Sequence, residues 1–250
     1  MEDFRARVRG VGLTELEWVQ VATGPRGPIF AFWLPGKDAI DRWRALRPHA
    51  STIGYPLILG SDEDLDRLRY NMGLSPSEIG IVDAFDPATW FAGRLTAGDE
   101  LMEPEELAKF EQSIHGPWPD TSPSNSFHVP FDLLTHKPVK KLWIGILPIE
   151  QPWEAAPALE YGSWNECPSP EEHAAVMHYW SERWGAEPVV IASDTVEMLV
   201  RKPPHTRDEA LVLANEQFAY CGDIVTQGVG TIEALAAILL KGQTWFFWWD

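Results

Sequence analysis

Residues 245–250 read Trp-Phe-Phe-Trp-Trp-Asp, a run of five aromatic side chains closed by an aspartate. Exposed aromatics gain nothing from order, so a run this apolar implies a strand buried in a core rather than a frayed tail. In an extended chain Trp245, Phe247 and Trp249 share one face, and Phe246, Trp248 and Asp250 share the other. Both faces are largely apolar, so the strand must be covered on both sides or lie at a domain interface. The rest of the chain therefore has to supply a sheet for this strand to join and layers to cover it.

The 250 residues can supply them: 45% are hydrophobic and 23% charged, which is globular composition. The formal net charge of -17, from 37 acidic and 20 basic residues, argues against nucleic acid and against an anionic membrane surface. Both would need clustered Lys and Arg. The amino terminus shows no apolar segment of the secretory type, and the apolar run from Ala234 to Leu240 is too short to span a bilayer. Two cysteines, Cys167 and Cys221, are too few for a disulfide scaffold, so a reducing, cytoplasmic setting is expected.

The pattern along the chain predicts a strand over 15–21, a turn, a second strand over 29–34, and a helix placing Ile40, Trp43 and Leu46 on one face. A strand over 55–59 follows, and Ser61 caps a helix carrying Leu65, Leu68 and Met72. From Ser75 to Met102 the pattern is weak, with a short helix at Trp90-Phe91 and breaks at Gly93 and Gly98. Pro104-Glu105-Glu106 opens another helix. Residues 115–138 are rich in turn formers and read as a linker between an N-terminal domain (1–114) and a C-terminal domain (139–250).

The second half opens with a strand over 141–148. A helix follows from the capping box Ser169-Pro170-Glu171-Glu172, with His173, Val176, Met177, Trp180 and Trp184 on one face. His173 should therefore be a core histidine and His178 exposed. Strands over 188–192 and 195–200 come next, then helices capped at Thr206 and Thr231, then the aromatic strand. This order predicts an α+β fold: a two-layer sandwich in each half, with a mixed or antiparallel sheet and helices on one face. Each half also holds a Trp-bearing helix, then proline, an aliphatic strand and Ser-Asp (Ser61-Asp62; Ser193-Asp194), which suggests duplication.

The run Gly162-Ser163-Trp164-Asn165-Glu166-Cys167-Pro168, the residues Trp180 and Trp184-Gly185-Ala186-Glu187, the stretch Tyr220–Thr231 and the final hexapeptide together resemble the bacterial domain-of-unknown-function 4253 family. The resemblance covers about residues 140–250. It brings with it no established activity, cofactor or catalytic residue.

Asn165, Asp194, Asp223, Gln227 and Asp250 fall at element ends or in loops, where polar groups can converge on a cleft, and they are the catalytic candidates. Trp164, Asn165 and Arg201 are the candidate binding residues. Asp223 and Asp250, if close, could divide acid and base roles. The competing reading is structural: a local backbone bond for Asp223, an Asx turn for Asn165, and an ion pair of Asp250 with Arg201 or Arg207. Cys167 and Cys221 could join His173 as a nucleophile or a metal site, and Gly228-Val229-Gly230-Thr231 could hold an anion. The spacing of His115, His128 and His136 matches no zinc signature, and no nucleotide-binding, nucleophile-elbow or zinc-protease motif occurs. No cofactor or metal is expected. Two functions stay open: a protein-binding, immunity or regulatory module that takes a basic protein partner, and a small-molecule hydrolase or transferase with a polar site in the C-terminal half.

Overall fold

The computed structural model describes residues 2–13, 15–72, 85–97, 102–120, 126–132 and 135–250. Much of the weakly patterned stretch, residues 73–84 and 98–101 with Gly98, lies outside the described residues, as do 121–125 and 133–134 of the expected linker.

Seven strands form one mixed sheet: β1 (Val19–Gly24), β2 (Gly27–Leu34), β3 (Tyr55–Gly60), β4 (Leu142–Leu147), β5 (Ala186–Ile191), β6 (Thr195–Val200) and β7 (Thr244–Trp248). Their order is β1-β2-β4-β3-β5-β6-β7. Every neighbouring pair is antiparallel except β3 and β5, which run parallel with Ile58 opposite Val190. The first strand starts four residues later than the alternation at 15–21 predicts, and a bulge between Gln20 and Ala22 shifts its register.

The two stretches expected as separate domains share this sheet. The β4 strand, from the second half, lies between β2 and β3 of the first and pairs with both. The cause is steric and polar together. α2 (Ala39–Leu46) carries the chain from β2 across to β3, leaving a gap one strand wide. The backbone groups facing that gap need partners, and β4 supplies them.

The α+β class and the mixed sheet are as the sequence predicts, but the helices cover both faces. α1 (Glu2–Gly10), α2 and α3 (Ala50–Ile53) pack with Phe30, Phe32, Ile58, Ile144 and Ile146 on one side. On the other, α4 (Asp62–Asn71), α5 (Pro87–Leu95), α7 (Ala155–Leu159), α8 (Pro170–Trp184), α9 (Arg207–Tyr220) and α10 (Ile232–Leu239) cover Ile29, Leu57, Ile191, Met198 and Trp245. The central strands are apolar at consecutive positions; all six residues of both β3 and β5 are buried. A strand of that kind needs cover on both sides. α6 (Pro104–Ser113) buries no residue.

The aromatic strand sits where its pattern places it. Trp245, Phe247 and Trp249 are fully buried, while Phe246 and Trp248 are half-buried and Asp250 is exposed. Phe247 stacks on Trp180 of α8 at 5.6 Å, and Tyr220 of α9 meets Phe247 edge-on at 4.8 Å. Each such ring removes 150–250 Å2 of surface from water, so this cluster dominates the packing between sheet and helices. On the opposite face the segment around His128 lies over β7, with its ring 5.0 Å from Phe246. α9 does not show one simple apolar stripe. Leu213, Gln217 and Tyr220 are buried, whereas Leu211 and Phe218 are half-buried, because this helix is packed on more than one side. His178, expected in solvent, is half-buried against Trp153 with ring centres 4.3 Å apart.

Candidate functional site

The turns that follow β3 and β5 lie together, because the two strands are parallel neighbours. Carboxyl ends of adjacent parallel strands are where open sheets form clefts. Here the Ser-Asp element recurring in the sequence ties the two turns. Asp64 closes the capping box of α4 with Ser61, and its other oxygen accepts from Ser193 Oγ at 2.7 Å. A cleft of about 960 Å3 opens beside this junction. One wall is the face of α4 bearing Glu63, Asp66, Arg67 and Tyr70, residues at helical spacing. Asp194, Trp249 and Asp250 form the floor, and Glu160, Trp164 and Asn165 form the far wall.

The far wall is a loop held in a rarely adopted shape. Glu160, Ser163 and Asn165 all have left-handed φ values, 50°, 71° and 47°, and each costs of order 1 kcal/mol unless its surroundings enforce it. Enforcement is visible. Gly162 approaches Pro168 so closely that a Cβ would stand 2.1 Å from the Pro168 carbonyl oxygen, and Ser163 N–H donates to that oxygen at 3.0 Å. Arg94 of α5 donates to the main-chain oxygens of Glu166 and Ala219 at 2.5 and 3.2 Å, clamping the loop to the end of α9.

Asn165, Trp249 and Asp250 also line a second cleft of about 750 Å3, shared with Asp223, Gln227 and Arg94. Asn165, Asp223 and Asp250 thus meet. Their hydrogen bonds, however, run among themselves: Asn165 Nδ2 donates to the Asp250 main-chain oxygen, and Asp250 N–H to Asp223 Oδ2 at 3.2 Å. Gln227 Nε2 takes the other Asp223 oxygen at 2.8 Å. Three segments distant in sequence, Gly162–Pro168, Tyr220–Thr231 and Trp245–Asp250, are knotted here into one wall. Residues 143–250 match the family model DUF4253, a domain of unknown function. No curated protein and no solved structure matches the chain.

Not all of the cleft lies within the DUF4253 match. Glu63, Asp66, Arg67 and Tyr70 precede it, and β3 stands between β4 and β5, the two strands that the match brings to this part of the sheet. The residues of α4 are those that sequence reasoning missed. Their polar i, i+3, i+4, i+7 spacing reads as an ordinary solvated helix face, and only the recurring Ser-Asp turn hinted that β3 and β5 end at one place.

Of the sequence candidates, Trp164, Asn165, Asp194 and Asp250 line the first cleft, and Asp223 and Gln227 the second. Arg201 lines neither. It follows β6 at the opposite end of the sheet and pairs with Glu187, which also takes Arg47 at 2.6 Å. Arg207 lies over the Trp118 ring instead of pairing with Asp250.

His173 is fully buried, as its helical position predicts, and its ring bridges Tyr220 OH at 2.5 Å and Cys167 Sγ at 3.3 Å. The spacing resembles a nucleophile-base-orienter chain, but burial reverses the chemistry. It drives the His173 pKa down to about 3 and raises the Cys167 thiol far above its usual range. Both groups are neutral near pH 7, and neither lines a cleft described above. Cys221, its pKa pushed up to about 12 by burial, donates to the Trp248 main-chain oxygen at 2.9 Å. The linker histidines have separate neighbours, His115 at Glu233 and His128 at Phe246. Among the described residues no group of three His, Cys, Asp or Glu side chains is placed to hold a metal, and no helix is long and apolar enough to cross a membrane.

Proposed function

We propose that this protein is a binding module whose acidic, aromatic cleft receives a cationic group from a basic protein partner. One observation carries the reading. Glu63, Asp66, Glu160, Asp194 and Asp250 line a single cleft together with Tyr70, Trp164 and Trp249. Among the described residues the one cation lining it, Arg67, is paired to Glu63 at 3.0 Å. Carboxylates supply Coulomb attraction and ring faces supply cation–π contact, the combination that recognises lysine, arginine or a methylated amine. A net charge of -17 adds long-range steering toward a basic partner. The strained, clamped loop favours binding too, since a wall fixed in advance loses little entropy when a ligand docks.

The convergence of Asn165, Asp223 and Asp250 on one cleft is the observation that favours a hydrolase or transferase. One Asp223 oxygen and the Asn165 amide hold Asp250 and the other Asp223 oxygen takes Gln227, which leaves this trio better suited to fixing the cleft than to moving protons.

Fluorescence anisotropy with a labelled Arg/Lys-rich peptide, beside a Glu-rich one of equal length, tests the binding reading. The basic peptide should bind, and its affinity should fall with added salt. A chain carrying Asp66→Asn with Asp194→Asn should bind roughly tenfold more weakly, a loss of about 1.4 kcal/mol. Equal binding of the two peptides, or an unchanged affinity in the double variant, overturns the reading.

A further inference from the structure

Beyond the acidic cleft, the chain contains a smaller chamber of opposite character. It lies beside the free edge of β7, the terminal strand of the sheet, between the π-helical turn Ile224–Val229, α10 and α9. Its volume is about 280 Å3, room for roughly nine heavy atoms at about 30 Å3 each. Ile224, Val229, Leu235, Leu239, Trp245 and Phe246 make its walls apolar.

Polar groups of His128, Gln217, Asp223 and the Trp245 and Trp248 indoles interrupt that apolar lining, and two of them lack a partner. Gln217 is 1% exposed and Trp245 0%. Neither Gln217 Nε2 nor Trp245 Nε1 has a hydrogen-bond partner among the described residues. Burying a donor without an acceptor is costly, and the position on α9 makes the choice of side chain informative. Gln217 sits on a buried face with Leu213, Ala214 and Tyr220, where an aliphatic residue would pack without an unsatisfied amide. The indoles of Trp18, Trp184 and Trp249 are unpartnered as well. What sets this chamber apart is that Trp245 and Gln217, each with an unpartnered donor, both line the same small volume. The wall opposite is a π-helical turn, a rare conformation that recurs at ligand sites.

The charges around the chamber narrow the ligand. Among the described residues no Lys or Arg lines it, Asp223 does, His128 lines it with its pKa lowered by burial, and the whole chain is strongly acidic. An anionic acceptor would be repelled by Asp223 and would meet only a histidine whose charged form burial disfavours. We infer that the chamber binds a small, neutral, mostly apolar molecule carrying one carbonyl oxygen, which accepts hydrogen bonds from Gln217 Nε2 and Trp245 Nε1. This site does not depend on the cationic-ligand reading of the acidic cleft.

Three probes of nearly equal shape separate the alternatives on the full chain: acetophenone, isopropylbenzene, which replaces the carbonyl by an alkyl group, and benzoate, which adds charge. Titration followed by NMR of 15N-labelled tryptophan indoles should show acetophenone binding on the order of tenfold more tightly than either analogue. The Trp245 indole N–H resonance should shift with it. Gln217→Leu should keep isopropylbenzene binding and lose the preference for acetophenone, and Asp194→Asn should change neither. Equal affinity for all three probes, no binding by any, or a preference that survives Gln217→Leu overturns the proposal. Should Gln217→Leu fail to fold, the wild-type Trp245 signal decides alone: a resonance unmoved by saturating acetophenone is equally fatal.

Discussion

The buried carboxyl of Glu197 offers a quantitative test of the sheet's second face. Glu197 lies on β6 opposite Phe246 and is 0% exposed, with its side chain turned toward the segment around His128. Main-chain N–H groups of His128 and Val129 donate to its two oxygens, the latter at 3.2 Å. Burial nevertheless outweighs these donors and raises its pKa from 4.5 to about 7. The sign follows from proton counting. Between about pH 4.5 and 7 the folded chain holds a proton that the unfolded chain has released, so stability falls as pH rises across that window. At about 1.4 kcal/mol per pH unit the interval corresponds to about 3.5 kcal/mol, present in full below 4.5 and lost above 7. His173 acts in the opposite sense. Its pKa is lowered from 6.5 to about 3, so the stability linked to it is present above 6.5 and lost as pH falls toward 3. The wild-type profile alone therefore conceals both effects, and the difference between two chains reveals one. Urea unfolding of wild type and Glu197→Gln, followed by tryptophan fluorescence at pH 5 and pH 8, isolates the glutamate because every other group is common to both. The variant should gain about 3 kcal/mol relative to wild type between the two pH values. Profiles that stay parallel to within about 0.5 kcal/mol would show that Glu197 is ionised or solvated in the folded chain, and the reasoning fails.

Two further outcomes test the other face. Cys167 and Cys221 are buried with strongly raised pKa values, so the native protein should leave a thiol reagent unconsumed at pH 7.5 and react with it at both sites once unfolded in urea. Fast native labelling at either residue would contradict the packing around His173. Deleting residues 245–250 removes β7 together with Trp245 and Phe247, large rings that are worth roughly 3–5 kcal/mol each in a core. No soluble folded chain should then be recovered, and a truncated protein with an unchanged melting transition refutes the role given to the strand.

Much of this architecture is legible in local pattern. The capping boxes at Ser169 and Thr206 and the caps at Ser61 and Thr231 start helices where the sequence says, because a cap satisfies its donors within a few residues and needs no distant partner. The alternation of Trp245, Phe247 and Trp249 likewise gives their shared face. Strand order is a different kind of information. Nothing within Leu142–Leu147 says that it will lie between β2 and β3, since any apolar strand of matching length could fill that gap. The second helical layer was implied by the continuous apolarity of Tyr55–Gly60, which no one-sided sandwich can bury.

Legibility of the site follows the same division. Asn165, Asp223 and Asp250 were found because loop polar residues of one region tend to converge, yet what they do was hidden: they spend their hydrogen bonds on one another and on Gln227. The α4 wall was hidden altogether, because Glu63, Asp66 and Tyr70 differ from any solvated helix face only in what stands across from them. That opposition exists only because β3 and β5 are parallel neighbours, joining a strand outside the DUF4253 match to one inside it. The cleft is therefore a property of the whole sheet. The matched region taken alone would lack β3 between β4 and β5, one wall of the cleft, and Asp64, the carboxylate that ties the two turns. A ligand bound in this cleft, as proposed above, would contact both stretches at once.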